Sequence, residues 1–365
     1  YLNFILMKFY IITGEPSGDL HAANLVEELK KYNSKLKFRA WGGEHLLNQG
    51  VNLAKHIKDT AFMGFLDVLK NFGSIQKNLN YCKQDIIKYK PDALILVDYP
   101  GFNLKIAKFA KLNGIKVFYY ISPKVWAWNK NRVIKIKKYV DELLVIFPFE
   151  VDFYLKFGMK VTYVGNPLLD EISKGNFSFS YITEKPIIAL LPGSRKQEIE
   201  IILPEMLRIV NDYPNHQFVI AATNNFSKNY YDSFIKEKNV KLVFNETYGL
   251  LSKADAALVT SGTASLETAL FKVPQIVCYK TNRITYFLAK KLINIKYLSL
   301  ANILMDKLVV KELIQNELNK NRLRIELDIL LNDNEGILTN YEKIIDLLNK
   351  KGASKNAAQF IISFF

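Results

Sequence analysis

Short apolar runs alternate with stretches of helical periodicity along almost the whole chain, the pattern expected of parallel βαβ units. Strand-like runs fall at 8–13, 38–41, 93–97, 116–121, 142–146 and 160–164. Between them, segments such as 20–31, 75–90 and 103–111 place apolar residues at helical spacing. The pattern then restarts, with runs at 187–191, 217–221, 241–243, 256–260 and 275–278. A polar, turn-rich stretch at 175–186 separates the two series. The chain is therefore expected to form two doubly wound, Rossmann-like α/β domains, residues 7–175 and 186–345, followed by a tail at 346–365. The charge-rich stretch 311–351 reads as helices, and the end of the tail, 359–365, is unusually apolar.

Composition narrows the classes. A length of 365 residues exceeds one ordinary domain, and 49% hydrophobic with 23% charged residues excludes general disorder. No apolar run reaches the roughly 20 residues of a membrane-spanning helix. The apolar start, 1–12, is interrupted by Lys8 and runs at once into Gly14-Glu15-Pro16-Ser17-Gly18-Asp19, so it reads as a first buried strand rather than a secretory signal, with Met7-Lys8 as the natural start. Two distant cysteines, Cys82 and Cys278, exclude a disulfide framework, and the four histidines lack ligand spacing. No metal and no cofactor are expected. The net charge of +15 either reflects lysine-rich composition or serves an anionic partner. No basic-aromatic nucleic-acid motif accompanies it, so nucleic acid is not expected.

Ligands of open parallel sheets bind at the carboxyl ends of the strands, and four glycine-bearing segments sit at such ends: 14–19, 98–103, 192–198 and 261–267. Their presence in both halves predicts a cleft that takes two substrates. In the first segment Glu15, Ser17 and Asp19 suit a hydroxylated sugar better than a pyrophosphate; the alternative is that Ser17 and Asp19 cap a helix. Asp98, at the end of an apolar strand, suits a general base, or else caps the helix at Asn103. Trp126 and Trp128, followed by Lys130, Arg132, Lys135, Lys137 and Lys138, suit phosphate or a membrane surface, or else a solvated helix face. In the second half, Gly193, Ser194 and Arg195 form one turn, with Arg195 offering a fork for phosphate. Ser261, Gly262, Thr263, Ala264 and Ser265 form another, a seat for pyrophosphate at a helix start, with Glu267 placed for ribose hydroxyls. Two such turns favour nucleotide binding over plain turns.

These motifs, in this order, resemble lipid-A-disaccharide synthases: GEPSGD, MGFLDVL at 63–69, VDYPGFN, ISPKVWAW, LPGSR, TSGTASLETAL, Asn302 in SLANIL, and VKELIQNE at 310–317. The resemblance spans nearly all of the chain from Met7. It implies an inverting GT-B glycosyltransferase whose two domains face a central cleft. Such an enzyme joins UDP-2,3-diacylglucosamine to 2,3-diacylglucosamine 1-phosphate and releases UDP and the β-1,6 disaccharide of lipid A. It further implies Asp98 as base, Glu15 on the acceptor side, and Arg195, Gly262 to Ser265, Glu267, Asn302 and Gln315 around UDP and its sugar. The chain departs from the family pattern at Gly165-Asn166-Pro167, where a Gly-His pair is usual, and at Asp306-Lys307, where Gly-Arg is expected.

An inverting transfer needs one base and stabilisation of a departing diphosphate, which Asp98 and the Arg195 and 262–265 turns supply without a metal. The acyl chains need an apolar lining, for which Met63 and Phe65, with Leu66, Val68 and Leu69, are the candidates; a buried amphipathic helix is the alternative. The expected location is cytoplasmic, in peripheral contact with the anionic inner membrane. A homodimer is compatible with the sequence, which does not fix the oligomeric state. The rival functions are a UDP-sugar 2-epimerase on the same fold and a non-catalytic membrane-surface binder.

Overall fold

A computed structural model of the chain describes residues 7–59, 72–128, 131–175, 177–282, 286–287 and 296–365. The chain forms two compact units. One comprises residues 1–170 together with 350–365, and the other residues 171–349.

The first unit holds a parallel sheet of seven strands: β1 (Lys8–Ile12), β2 (Lys37–Gly42), β3 (Asn52–His56), β4 (Ala93–Val97), β5 (Lys116–Tyr120), β6 (Glu142–Val145) and β7 (Thr162–Tyr163). Their order across the sheet is β3-β2-β1-β4-β5-β6-β7. The second unit holds six: β8 (Ile187–Leu191), β9 (Gln217–Ala222), β10 (Val240–Phe244), β11 (Ala256–Thr260), β12 (Gln275–Tyr279) and β13 (Lys311–Ile314), ordered β10-β9-β8-β11-β12-β13. Every strand pair is parallel, for example Phe9 beside Ala93 and Ala256 beside Ile188.

The central strands explain the continuous apolar runs. Every residue of β4, β8, β9 and β11 is buried, because helices cover both faces of a parallel sheet. In the first unit Ile11, Ile95 and Phe118 pack on one face, while Tyr10, Leu94, Leu96 and Tyr119 pack on the other. β3 and β13 are strands that the hydrophobic pattern does not reveal. Each pairs on one side only, and β3 is nowhere fully buried, so neither needs an apolar run. Residues 311–314, expected to be helical, belong to β13; helices Lys320–Asn332 and Glu335–Leu347 follow.

The apolar tail, which must either pack or meet a partner, packs on the first sheet. The helix Ala353–Ile362 buries Ala357, Ala358 and Ile361 among residues of β1, β4 and β5. Phe365 meets Phe9 edge-on at 5.7 Å, and Phe364 meets Phe118 at 5.5 Å. Gly352 N–H donates to the Asp170 carboxylate at 2.8 Å, and Asn356 Nδ2 to the Val164 carbonyl at 2.8 Å. Gly165, with φ of 103°, lies so close to the Lys350 carbonyl that a Cβ there would overlap it. Its neighbour Asn166 is buried, and its Oδ1 accepts the Leu168 N–H at 3.0 Å at the start of helix Pro167–Ser173. The asparagine at this departure from the family pattern is thus part of the backbone hydrogen bonding.

Candidate functional site

In each unit the strand order reverses at one place, between β1 and β4 and between β8 and β11. Ligands of such sheets gather at the carboxyl ends of the strands there. The four turns singled out in the sequence follow these same four strands.

At the first switch point the chain leaves β4 through two consecutive left-handed residues, Asp98 with φ of 45° and Tyr99 with φ of 50°. Each such residue costs about 1–3 kcal/mol and persists only where its surroundings enforce it. The enforcing contacts are visible. Asn103 Nδ2 donates to the Asp98 carbonyl at 2.7 Å and reaches the Val97 and Ile12 carbonyls at 3.3 and 3.4 Å. The Tyr119 hydroxyl donates to the same Asp98 carbonyl at 2.6 Å. The Tyr99 ring lies against Gly14, where a Cβ would overlap it, and stacks on Phe102 at 5.4 Å. Glu15 is partly buried beside this turn, and its charge adds to the burial that raises the Tyr99 phenol above its ordinary pKa.

Several expected contacts turn out to be spent inside the fold. Asp19 is buried, and its two carboxylate oxygens accept the N–H of Gly43 at 2.6 Å and of His45 at 2.9 Å. It holds the turn after β2. Ser17 is exposed, and neither it nor Asp19 caps the helix Pro16–Tyr32, whose N-cap is Glu15. Asn103 is wholly buried, and its Nδ2 ties the ends of β1 and β4 together. The helix after β4 starts at Pro100 with Tyr99 as its N-cap, so Asp98 is not a cap.

Trp126 is partly buried. Its indole N–H donates to Glu150 Oε1 at 3.3 Å, and its ring meets Phe149 edge-on at 5.1 Å. The buried Glu150 also accepts the N–H of Ile146 at 3.2 Å and of Phe147 at 3.1 Å, yet burial pushes its carboxyl up to about 7. On the helix Asn131–Tyr139, Lys135, Lys137 and Lys138 are exposed while Val133 and Ile136 are buried. Arg132 departs from this basic face: it is partly buried and close enough to Tyr119 for its charge to act on that phenol. Met63, Phe65, Leu66, Val68, Leu69 and Lys130, with the side chain of Trp128, lie outside the described residues.

At the second switch point Gly193, with φ of 104°, leads into an exposed Ser194 and Arg195. The Arg195 guanidinium lies 3.5 Å from Glu198 Oε1. Gly262, with φ of 150° and open space around its Cα, opens the helix Thr263–Leu270, with Thr263 exposed and Ala264 partly buried. The neighbouring hydroxyls are engaged internally. Ser265 Oγ donates to the Gly262 carbonyl at 2.8 Å, and Ser261 Oγ to the Leu298 carbonyl at 3.1 Å. Glu267 Oε1 accepts the Tyr248 hydroxyl at 2.9 Å, and burial raises its carboxyl above the ordinary range. Tyr248 also lines a cavity of ≈ 340 Å³ with Phe177, Ser178, Asn245 and Thr247.

Asn302 is buried, and all four hydrogen-bonding positions of its side chain are engaged within the fold. Its Nδ2 donates to the Val310 carbonyl and Glu312, and its Oδ1 accepts the Val309 and Val310 N–H groups, all within 2.9 Å. Gln315, in a left-handed conformation, clamps the backbone of Thr281, with Oε1 accepting its N–H at 2.8 Å and Nε2 donating to its carbonyl at 3.1 Å. Both residues stabilise the segments around β13. Of the second departure from the family pattern, Asp306 is the left-handed C-cap of helix Leu300–Met305, and Lys307 is exposed.

Residues 9–363 match the family described as lipid-A-disaccharide synthetase. The chain belongs to that family. The lipid-A-disaccharide synthase of Coxiella burnetii (strain CbuG_Q212) is 36% identical over 364 residues, covering 96% of each chain. Among solved structures, the UDP-GlcNAc 2-epimerase of Neisseria meningitidis superposes with a TM-score of 0.67 at 17% identity, covering 98% of this chain and 99% of that one. The glycotransferase of kitacinnamycin does so with a TM-score of 0.69 at 12% identity, covering 98% of each. These two likenesses are of fold, the GT-B arrangement of two parallel-sheet α/β units. As a lipid-A-disaccharide synthetase family member, the chain is a glycosyltransferase.

Sequence reading missed Tyr119, Glu150 and Tyr248, which support Asp98, Trp126 and Glu267. All three are aromatic or acidic residues outside the glycine-bearing turns. Their only signal in the sequence is a hydroxyl or carboxyl inside or beside an apolar run.

Proposed function

We propose that the chain transfers the 2,3-diacylglucosamine of its UDP conjugate to 2,3-diacylglucosamine 1-phosphate, with inversion and release of UDP. In this reading Asp98 takes the proton from the attacking hydroxyl, and Glu15, on the adjacent turn, orients the acceptor. Arg195 and the N–H groups at the start of helix Thr263–Leu270 stabilise the departing diphosphate, and Glu267 with Tyr248 holds the ribose beside the 340 Å³ cavity. The observation that carries the reading is the enforced left-handed turn at Asp98, which puts a carboxylate at the switch point of a GT-B sheet in a member of this family.

No metal is needed in this scheme, and activity is expected to survive a chelator. Among the described residues, no group of three or more histidine, cysteine or acidic residues stands where it could hold a metal ion. The basic, partly apolar face of helix Asn131–Tyr139 is proposed to meet the anionic inner membrane, with Lys135, Lys137 and Lys138 exposed around an exposed Ile134.

The test is incubation with UDP-2,3-diacylglucosamine and its 1-phosphate acceptor, followed by mass spectrometry. A disaccharide 1-phosphate plus UDP supports the proposal. Isomerised UDP-sugar, or UDP released equally without acceptor, overturns it in favour of epimerase or hydrolase chemistry. Asp98→Ala is expected to lower kcat by about 10²–10⁴ while leaving UDP affinity unchanged; near-normal turnover would remove Asp98 as the base.

A further inference from the structure

Tyr119 is a tyrosine in the middle of an apolar sheet, and burial alone should disfavour its hydroxyl there. Its side chain is fully buried among Tyr10, Leu94, Leu96 and Ile106. A phenylalanine would fill that volume without a polar atom. What the hydroxyl does is donate a 2.6 Å hydrogen bond to the Asp98 carbonyl, which also receives the Asn103 amide at 2.7 Å. Two donors thus meet on one carbonyl, at the peptide that joins two left-handed residues. Turning that peptide to an ordinary extended conformation would leave the buried Tyr119 hydroxyl without its acceptor and take from Asn103 the shortest of its three contacts. The strain at Asp98 and Tyr99 and the burial of the Tyr119 hydroxyl therefore hold each other in place.

We propose that Tyr119 is a positioning residue of the transfer: through the Asp98 carbonyl it fixes the backbone from which the Asp98 carboxylate projects. Asn103 is its partner in the same grip. This rests on the reading of Asp98 as the base. Tyr119 itself touches neither substrate, since its phenol lies wholly inside the sheet and its burial raises it far above the ordinary tyrosine range. A carboxylate displaced by about 1 Å can cost on the order of a hundredfold in rate, so the loss of one of two anchors should be visible in turnover.

The experiment compares Tyr119→Phe, Asp98→Ala and the double variant in the complete chain, with kcat, KM for the UDP-sugar and thermal midpoint measured for each. Tyr119→Phe is expected to lower kcat about tenfold or more, with KM for the donor unchanged and a cooperative thermal transition retained. In the Asp98→Ala background it is expected to change the residual rate by less than about twofold, because it acts through a carboxylate that is no longer there. A merely structural tyrosine would lower the rate by the same factor in both backgrounds. Unchanged kcat in Tyr119→Phe while Asp98→Ala is inactive overturns the positioning role and leaves the base in place. Normal kcat in Asp98→Ala overturns the base itself. Should Tyr119→Phe fail to fold, Asn103→Ala, which removes the other donor to the same carbonyl without burying a charge, is compared in the same two backgrounds, with the same outcomes deciding.

Discussion

Asn302 and Glu267 look alike in the sequence, as polar residues that the family resemblance draws toward UDP, and the structure separates them. All four hydrogen-bonding positions of Asn302 are used within the fold, whereas Glu267 uses Oε1 on Tyr248. Asn302→Ala strands the Val309 and Val310 N–H groups, at about 1–3 kcal/mol for each buried group left unpaired. The expected outcome is a clear fall in the urea midpoint. Glu267→Gln should instead leave that midpoint nearly unchanged and weaken UDP roughly ten- to a hundredfold by calorimetric titration; unchanged affinity would take Glu267 out of the nucleotide site. Residue types and turns were legible in the sequence. Which side chains are consumed internally was not, because the partners are distant: Asp19 meets Gly43 and His45, and Asn103 meets Ile12. Glu150 yields a pH prediction of the same local kind. Its carboxyl is raised by burial to about 7, so the native state retains the proton that the unfolded chain loses near its ordinary, lower pKa. Its contribution to stability is full below the unfolded pKa and fades as pH rises through about 7. Relative to Glu150→Gln, the wild-type chain should therefore lose on the order of 3 kcal/mol between pH 4 and pH 8, read from denaturant titrations. Parallel curves for the two proteins would remove Glu150 as the cause.

Among the elements, the central strands were the most legible and the edges the least. β4 reads Ala-Leu-Ile-Leu-Val with every residue buried, so burial on both faces writes itself into an unbroken apolar run. β3 reads Asn-Leu-Ala-Lys-His with none fully buried, and hydrogen bonds to β2 rather than hydrophobicity make it a strand. β13 hides for a similar reason inside a charged stretch, where its Glu312 accepts the N–H groups of Leu298 and Ser299. The C-terminal helix was visible as an apolar segment, but its partner was not, since packing on β1 and α-helical neighbours more than three hundred residues upstream leaves no local trace. Gly165 is where that segment passes close to the first unit's backbone turn. Gly165→Ala would force a Cβ into the Lys350 carbonyl at a positive φ, with an expected loss of about 2 kcal/mol or more. Limited proteolysis checks it: cleavage between 349 and 353 should quicken in the variant, and an unchanged rate would mean that the contact relaxes without releasing the helix.

At the scale of the whole molecule, the charge of +15 is the feature that composition alone leaves open. Among the described residues no helix is long and apolar enough to cross a membrane. Each lysine near an anionic bilayer contributes about 1 kcal/mol, screened by salt. Co-sedimentation with anionic vesicles should therefore fall as salt rises, and fall again in Lys135→Glu with Lys138→Glu; binding indifferent to both would remove this face as the docking surface while leaving glycosyl transfer untouched. The division of the chain has a consequence for how it is made. The second unit is one continuous stretch, 171–349, whereas the first is closed by residues 350–365 returning to it. On the ribosome, the first sheet must therefore wait, with Phe9 and Phe118 lacking their contacts to Phe365 and Phe364, while the whole of the second unit is synthesised. The half of the protein translated first is thus the half completed last, and throughout that interval the nascent first sheet lacks its closing helix.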